Sequence, residues 1–240
     1  MSSSSLTSFR LQRAGLLAGA LLFCWHPVLA TTGVSSPPIL STISGSAVVV
    51  DGDTIDIDGQ RIRLEGIDAP ETAQTCLAPD GSPWPCGRAA SKALSAMVNS
   101  KDVSCDSTGN DKYGRFLGIC YADGQDLNAA MIDAGMAWAF VRYSMIYASR
   151  ETAARASKIG VWQGSAEAPW EYRHKGWQDA GLVAPKGCAI KGNVSHSGQI
   201  YHMPWSPWYG KVKVDIDRGE RWFCSEADAL AAGWRPAATY

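Results

Sequence analysis

The chain has no excess of positive charge. Its 22 Lys and Arg stand against 23 Asp and Glu, a formal net charge of −1. A protein that wraps a long stretch of nucleic acid needs many cations to neutralise phosphates, so that class is excluded and any nucleic-acid contact must be local. The first thirty residues hold no acidic side chain, and their apolar run, Ala14 to Trp25, is shorter than the ~20 residues a spanning helix requires. With Arg10 and Arg13 ahead of it and Val28-Leu29-Ala30 behind it, this stretch has the charged, apolar and small-residue parts of a secretory leader. Residues 1–30 are therefore expected to be a signal peptide, with an uncleaved anchor helix as the alternative. Its removal would leave 20 basic and 23 acidic residues, a charge of −3, in a secreted or periplasmic protein with no stable membrane span. Bulky Phe23 ahead of Cys24 argues against lipid attachment there, and the chain has no internal repeats.

Six of the seven cysteines lie beyond the leader: Cys76, Cys86, Cys105, Cys120, Cys188 and Cys224. An even set in an exported chain reads as disulfides, and six cysteines allow 15 pairings. Pairing within local units gives Cys76–Cys86, Cys105–Cys120 and Cys188–Cys224, with free or metal-bound thiols as the alternative.

Residues 31–45 are rich in Ser, Thr, Pro and Gly, a composition expected of a flexible tether. Short β-favouring runs follow at Ala47 to Val50, Thr54 to Ile57 and Arg61 to Gly66, the last two joined by Asp58-Gly59. Arg88 to Val98 places Ala90, Leu94, Met97 and Val98 on one stripe at helical spacing. Val103 to Cys105 and Phe116 to Tyr121 read as strands around a polar turn, Asp106 to Lys112. Two further helices are expected, from an Asp126 cap to Gly135 and from Ser149 to Ile159. The class is mainly β with helices, α+β: a five-stranded barrel of the OB type with three helices over residues 46–163. A linker over 164–186 and a small Cys- and Trp-rich, disulfide-containing module over 187–240 complete the expected organisation.

Three clusters carry chemistry: Asp51-Gly52-Asp53-Thr54; Arg63 with Asp68-Ala69-Pro70-Glu71; and Asp111-Lys112-Tyr113-Gly114-Arg115. Each alone is a common turn or hairpin end, and their order at the ends of barrel strands is what gives them weight. Asp53 and Asp68 are ligands for a hard cation, with a backbone carbonyl and waters to complete the shell. Arg63 and Arg115 offer planar forks for phosphate oxygens. Glu71 can deprotonate or orient a water. Cation, arginines and base are what phosphodiester hydrolysis needs, because its transition state gathers negative charge on the phosphorus oxygens.

The blocks at 50–55, 63–71 and 111–115, with Gly124 to Gly135 and Tyr143 following, resemble the staphylococcal nuclease family over about residues 46–163. The resemblance implies an OB-fold nuclease that uses one calcium ion to hydrolyse DNA and RNA with little sequence preference, leaving 3′-phosphorylated products. By position it implies Asp53, Asp68 and the carbonyl of Ala69 as calcium ligands, with Asp51 at the edge of the site. It implies Arg63 and Arg115 on the phosphate, Glu71 as base, and Tyr113 and Tyr143 against the nucleotide. This chain departs from the family in having Ala69 for the usual threonine and Val141 where a second pocket tyrosine aligns.

In the C-terminal module, Cys188, His196, His202 and Cys224 could make a zinc site, though their spacing matches no standard finger. Trp205, Trp208, Trp222 and Trp234 could stack on sugars or bases, or form a small core. The run Glu220 to Pro236 resembles appendages of other exported bacterial nucleases and leaves envelope attachment open as a role. The expected protein is a monomer acting on DNA and RNA. The alternative is a non-catalytic envelope protein binding nucleic acid or polysaccharide.

Overall fold

Alternating apolar residues and one tight turn start the barrel. In the computed structural model, which describes residues 41–111 and 115–237, β1 (Ser41–Val49), β2 (Thr54–Ile57) and β3 (Gln60–Leu64) form an antiparallel meander. Asp58 and Gly59 turn β2 into β3 with φ of 51° and 83°, the left-handed geometry of a two-residue hairpin. β1 also pairs antiparallel with β4 (Asp102–Asn110), and β4 with β5 (Phe116–Ala122). A parallel pairing of β3 with β5 closes the ring of five strands. Ile55, Ile57, Ile62, Leu64, Val103 and Cys105 point into the barrel, and no long flat edge is left on it.

Two expectations about this barrel are corrected. Residues 41–45, read as tether, belong to β1: six register pairs from Ser41 to Ser46 join them to β4, and Thr42 donates to Asp106 at 2.9 Å. Ser and Thr alternate there with Ile43, which packs on the core, so the pairing partner supplies the order that composition alone does not. Likewise the polar turn expected from Asp106 is strand as far as Asn110, with a register shift between Ser107 and Gly109 that lets the ribbon bend.

Helix α1 (Cys86–Val98) covers the barrel with Ala90, Leu94 and Val98. Helix α2 (Leu127–Asp133) is capped by Asp126, whose side chain accepts from the amide of Ala129 at 2.9 Å. It buries Leu127, Met131 and Ile132. Helix α3 (Ala148–Ala156) is shorter than expected, stopping in a turn before Gly160. Disulfides join Cys76 to Cys86, Cys105 to Cys120 and Cys188 to Cys224. Cys188 and Cys224 are thereby spent on a covalent bond, which removes the zinc alternative.

The segment read as a linker contains a regular helix, α4 (Pro169–Val183), with Pro169 at its first position, where a missing N–H costs nothing. The C-terminal module is a four-stranded sheet, β6 (Ile190–Ser195), β7 (Gly198–His202), β8 (Arg221–Phe223) and β9 (Arg235–Pro236), in the order β8-β6-β7-β9. Helix α5 (Glu226–Ala231), capped by Ser225, closes it over Ile190, Tyr201, Phe223 and Trp234. Trp234 is core, whereas Trp208 is exposed. Trp177 of α4 packs on this module, and Trp170, one end of the same helix, stacks on Phe140 with ring centroids 5.8 Å apart. Among the described residues no helix is long and apolar enough to cross a membrane.

Candidate active site

The end of β1 turns through Asp51-Gly52-Asp53 into β2, and this bend needs Gly52. A Cβ there would stand 2.7 Å from that of Ala69 and 2.8 Å from that of Ala90 on α1. Gly87 has the same role one layer away: its Cβ would meet the carbonyl oxygen of Glu71 at 1.7 Å. The two glycines thus let α1 and both acidic loops approach to backbone contact. Buried Gln74 fixes the Glu71 loop by accepting from the Glu71 amide at 3.2 Å and donating to the carbonyl of Glu167 at 2.7 Å.

Arg63 lies on β3, directly across from Thr54. It donates through Nη1 to Asp53 Oδ1 at 2.8 Å and through Nη2 to Asp68 Oδ1 at 2.9 Å, bridging the two aspartates. Asp53 also accepts from the Thr54 hydroxyl and, at 3.0 Å on Oδ2, from the Ala69 amide. Asp68 is fully buried on a two-residue strand, Ile67–Asp68, which pairs with Trp138–Ala139.

A cavity of about 1130 Å³ opens over these residues, lined by Asp51, Asp53, Arg63, Glu71, Arg115 and Tyr143 among others. Arg63 and Arg115 therefore share one cavity. Arg115 donates from Nε to Asp111 Oδ2 at 2.7 Å, and its charge acts on Asp53. Ala69 also lines the cavity, and Asp68 lies beneath it. Tyr143 is largely exposed beside Phe140, and Val141 is exposed. Tyr113 lies outside the described residues.

Sequence reasoning missed one participant. Arg173, on α4, donates to both oxygens of Asp68, at 3.0 Å and 2.7 Å, and to Glu71 Oε1 at 2.8 Å. Trp170, Arg173, His174 and Trp177 all line the cavity, and they stand at i, i+3, i+4 and i+7, one face of the helix. That spacing, after a proline suited to a helix start, was the signal available in the sequence. Trp205 and Tyr201 of the C-terminal module complete the far wall.

Electrostatics separate the acids. Burial opposes ionisation of Asp53, but the Arg63 guanidinium and the Ala69 amide outweigh it and lower its pKa. Burial, then the charge of Asp53, pushes Asp51 up to about 7. Burial pushes Glu71 up to about 8, against the pull of Arg173 and with added repulsion from Asp51. A carboxyl poised near neutrality is what a general base requires. Both arginines bear the cost of burial but are raised by their carboxylate partners.

Asp51, Asp53, Asp68 and Glu71 are hard oxygen donors grouped around one cavity, and this chemistry fits a calcium ion. Among the described residues no three such side chains stand at ligand distance as a group, because Arg63 and Arg173 are interposed between the carboxylates.

A family model described as staphylococcal nuclease homologue matches residues 61–164, which include Arg63, Asp68, Glu71 and Arg115. A protein named as an uncharacterized endonuclease from Escherichia coli is 35% identical over 150 residues, spanning 59% of this chain and 92% of its own length. The chain belongs to the staphylococcal nuclease family. Within that family it is also similar to a micrococcal nuclease of Shigella flexneri, 32% identical over 58% of this chain and 86% of the relative. A succinoglycan biosynthesis protein, ExoI, of Rhizobium meliloti (strain 1021) is 40% identical over 52% of this chain and 67% of the relative. A second family model, described as ArfC, matches residues 179–236 and so starts within α4.

Proposed function

We propose that this member of the staphylococcal nuclease family is an exported, calcium-dependent nuclease. It hydrolyses phosphodiester bonds of DNA and RNA with little sequence preference and leaves 3′-phosphorylated products. The observation that carries this reading is the sharing of one cavity by Glu71, Arg63 and Arg115, over the buried pair Asp53 and Asp68. Export rests on the leader read in residues 1–30.

Asp53, Asp68 and the carbonyl of Ala69, with Asp51 at the edge, would hold the ion. Bound there, calcium would supply Lewis-acid polarisation of a phosphate oxygen. Glu71 takes the proton of the attacking water, and the rise of its pKa through burial makes it a competent acceptor near neutral pH. Arg63 and Arg115 receive the charge that develops on the phosphate, and their fixed partners hold them ready before substrate arrives. The neighbouring rings of Tyr143, Phe140 and Trp170 offer stacking faces for bases, which suits unpaired strands better than duplex.

The test is digestion of denatured DNA by the mature protein in calcium and in chelator, wild type beside Glu71→Gln. Wild type should be active only with calcium, and the variant should lose a factor of about 10²–10⁴ in kcat. Activity indifferent to chelator rejects the metal assignment. No digestion under any condition would favour the rival reading, an envelope protein that binds nucleic acid or polysaccharide.

A further inference from the structure

Helix α4 begins beyond the segment matched by the nuclease family model, yet it plants a cation in the middle of the active site. A single guanidinium, that of Arg173, hydrogen-bonds both oxygens of Asp68 and one oxygen of Glu71, at 2.7 to 3.0 Å. Asp68 Oδ1 already receives Arg63, so three N–H donors converge on one buried carboxylate. These are oxygens that the proposed ion would require. Calcium takes carboxylate oxygens at about 2.3–2.6 Å. A dication and a guanidinium sharing one carboxylate repel each other, and the burial of Asp68 leaves that repulsion weakly screened.

The helix that carries Arg173 is held at both ends, by Trp170 against Phe140 and by Trp177 against the core of the C-terminal module. Arg173 is therefore presented to the site by packing on either side of it. The cavity it faces is the one shared by Arg63 and Arg115.

We infer that Arg173 is a tethered cation that competes with the divalent ion for Asp68 and Glu71, so that the segment appended to the nuclease domain sets the ion concentration at which the site loads. The inference rests on the calcium reading above. Loading of the ion frees the Arg173 guanidinium, whose next partner in the shared cavity is a substrate phosphate. By linkage, whatever weakens the hold of Arg173 strengthens the hold on the ion by the same factor.

The experiment is a calorimetric titration of the mature full-length protein with calcium, wild type beside R173Q and R173A, together with thermal unfolding of each in EDTA and in calcium. Both variants should bind calcium roughly tenfold or more tightly than wild type, within the ~5–150-fold range of coupled sites. They should also melt lower than wild type in EDTA and gain more from calcium. Equal or weaker binding by the variants overturns the inference. So does a melting loss that calcium does not restore, which is what a purely structural clamp would give. If R173A does not fold, R173Q, which keeps amide donors, carries the comparison; if neither folds even in calcium, Arg173 is such a clamp. Wild type and variants that bind calcium alike would sink the competition alone. Absence of calcium binding in wild type and variants alike would sink the calcium reading with it.

Discussion

Asp51 and Glu71 hold protons more tightly in the folded protein than in an unfolded chain, because burial and neighbouring carboxylates penalise their charge. For a carboxyl whose pKa is raised by folding, the native state binds the extra proton between the unfolded and folded pKa values. Stability therefore falls as pH rises through that window. Without divalent ion the protein should be more stable near pH 5 than at pH 8, because both acids must give up their protons in between. Denaturant midpoints in EDTA at the two values measure this. Asp51→Asn should flatten the difference, and a midpoint that rises with pH would show that the two acids are not buried as charges. Catalysis runs the other way. With calcium saturating, the rate should climb with pH as Glu71 gives up its proton and then level off.

At the scale of elements, the barrel strands announced themselves because each alternates apolar and polar residues and is punctuated by Asp-Gly or Gly turns. The stripe of Ala90, Leu94 and Val98 did the same for α1. The first residues of β1 were illegible for a physical reason: Ser, Thr and Gly become strand there only through pairing with β4, which lies some sixty positions on. Asp53, Arg63, Asp68 and Glu71 were legible as a group because they fall within two short motifs on adjoining strands. Arg173 was not, since its partners Asp68 and Glu71 are 105 and 102 positions away. On the face of α4 that meets the cavity, Trp170 and Trp177 flank Arg173 and His174, so the stripe is half polar and does not stand out as the core face of a helix. A consequence belongs to this helix. Trp170→Ala should raise KM for a single-stranded oligonucleotide about tenfold with kcat little changed, as expected for one stacked base. Trp208→Ala serves as the control, because Trp208 is exposed and does not line the cavity. Equal effects of the two substitutions, read from initial rates across oligonucleotide concentration, would remove Trp170 from the substrate path.

For the molecule as a whole, the charge balance decides how it meets a polyanion. A net charge of −1, or −3 without residues 1–30, gives no long-range attraction, so affinity must come from the few cations that face the cavity. Arg63, Arg115 and Arg173 are three such groups, and each phosphate they neutralise releases counterions in proportion. For a single strand the logarithm of affinity should fall with the logarithm of salt at a slope of about −0.7 per contact, which for three contacts is about −2. The measurement is 1/KM for a short oligonucleotide from 50 to 300 mM NaCl at fixed free calcium. Arg115→Ala should make the slope shallower by about one contact while leaving the fold intact. A wild-type slope steeper than about −4 would mean that a second basic track, remote from the cavity, carries much of the binding; the local character of the interface, and with it the account of how a near-neutral chain grips its substrate, would then be wrong.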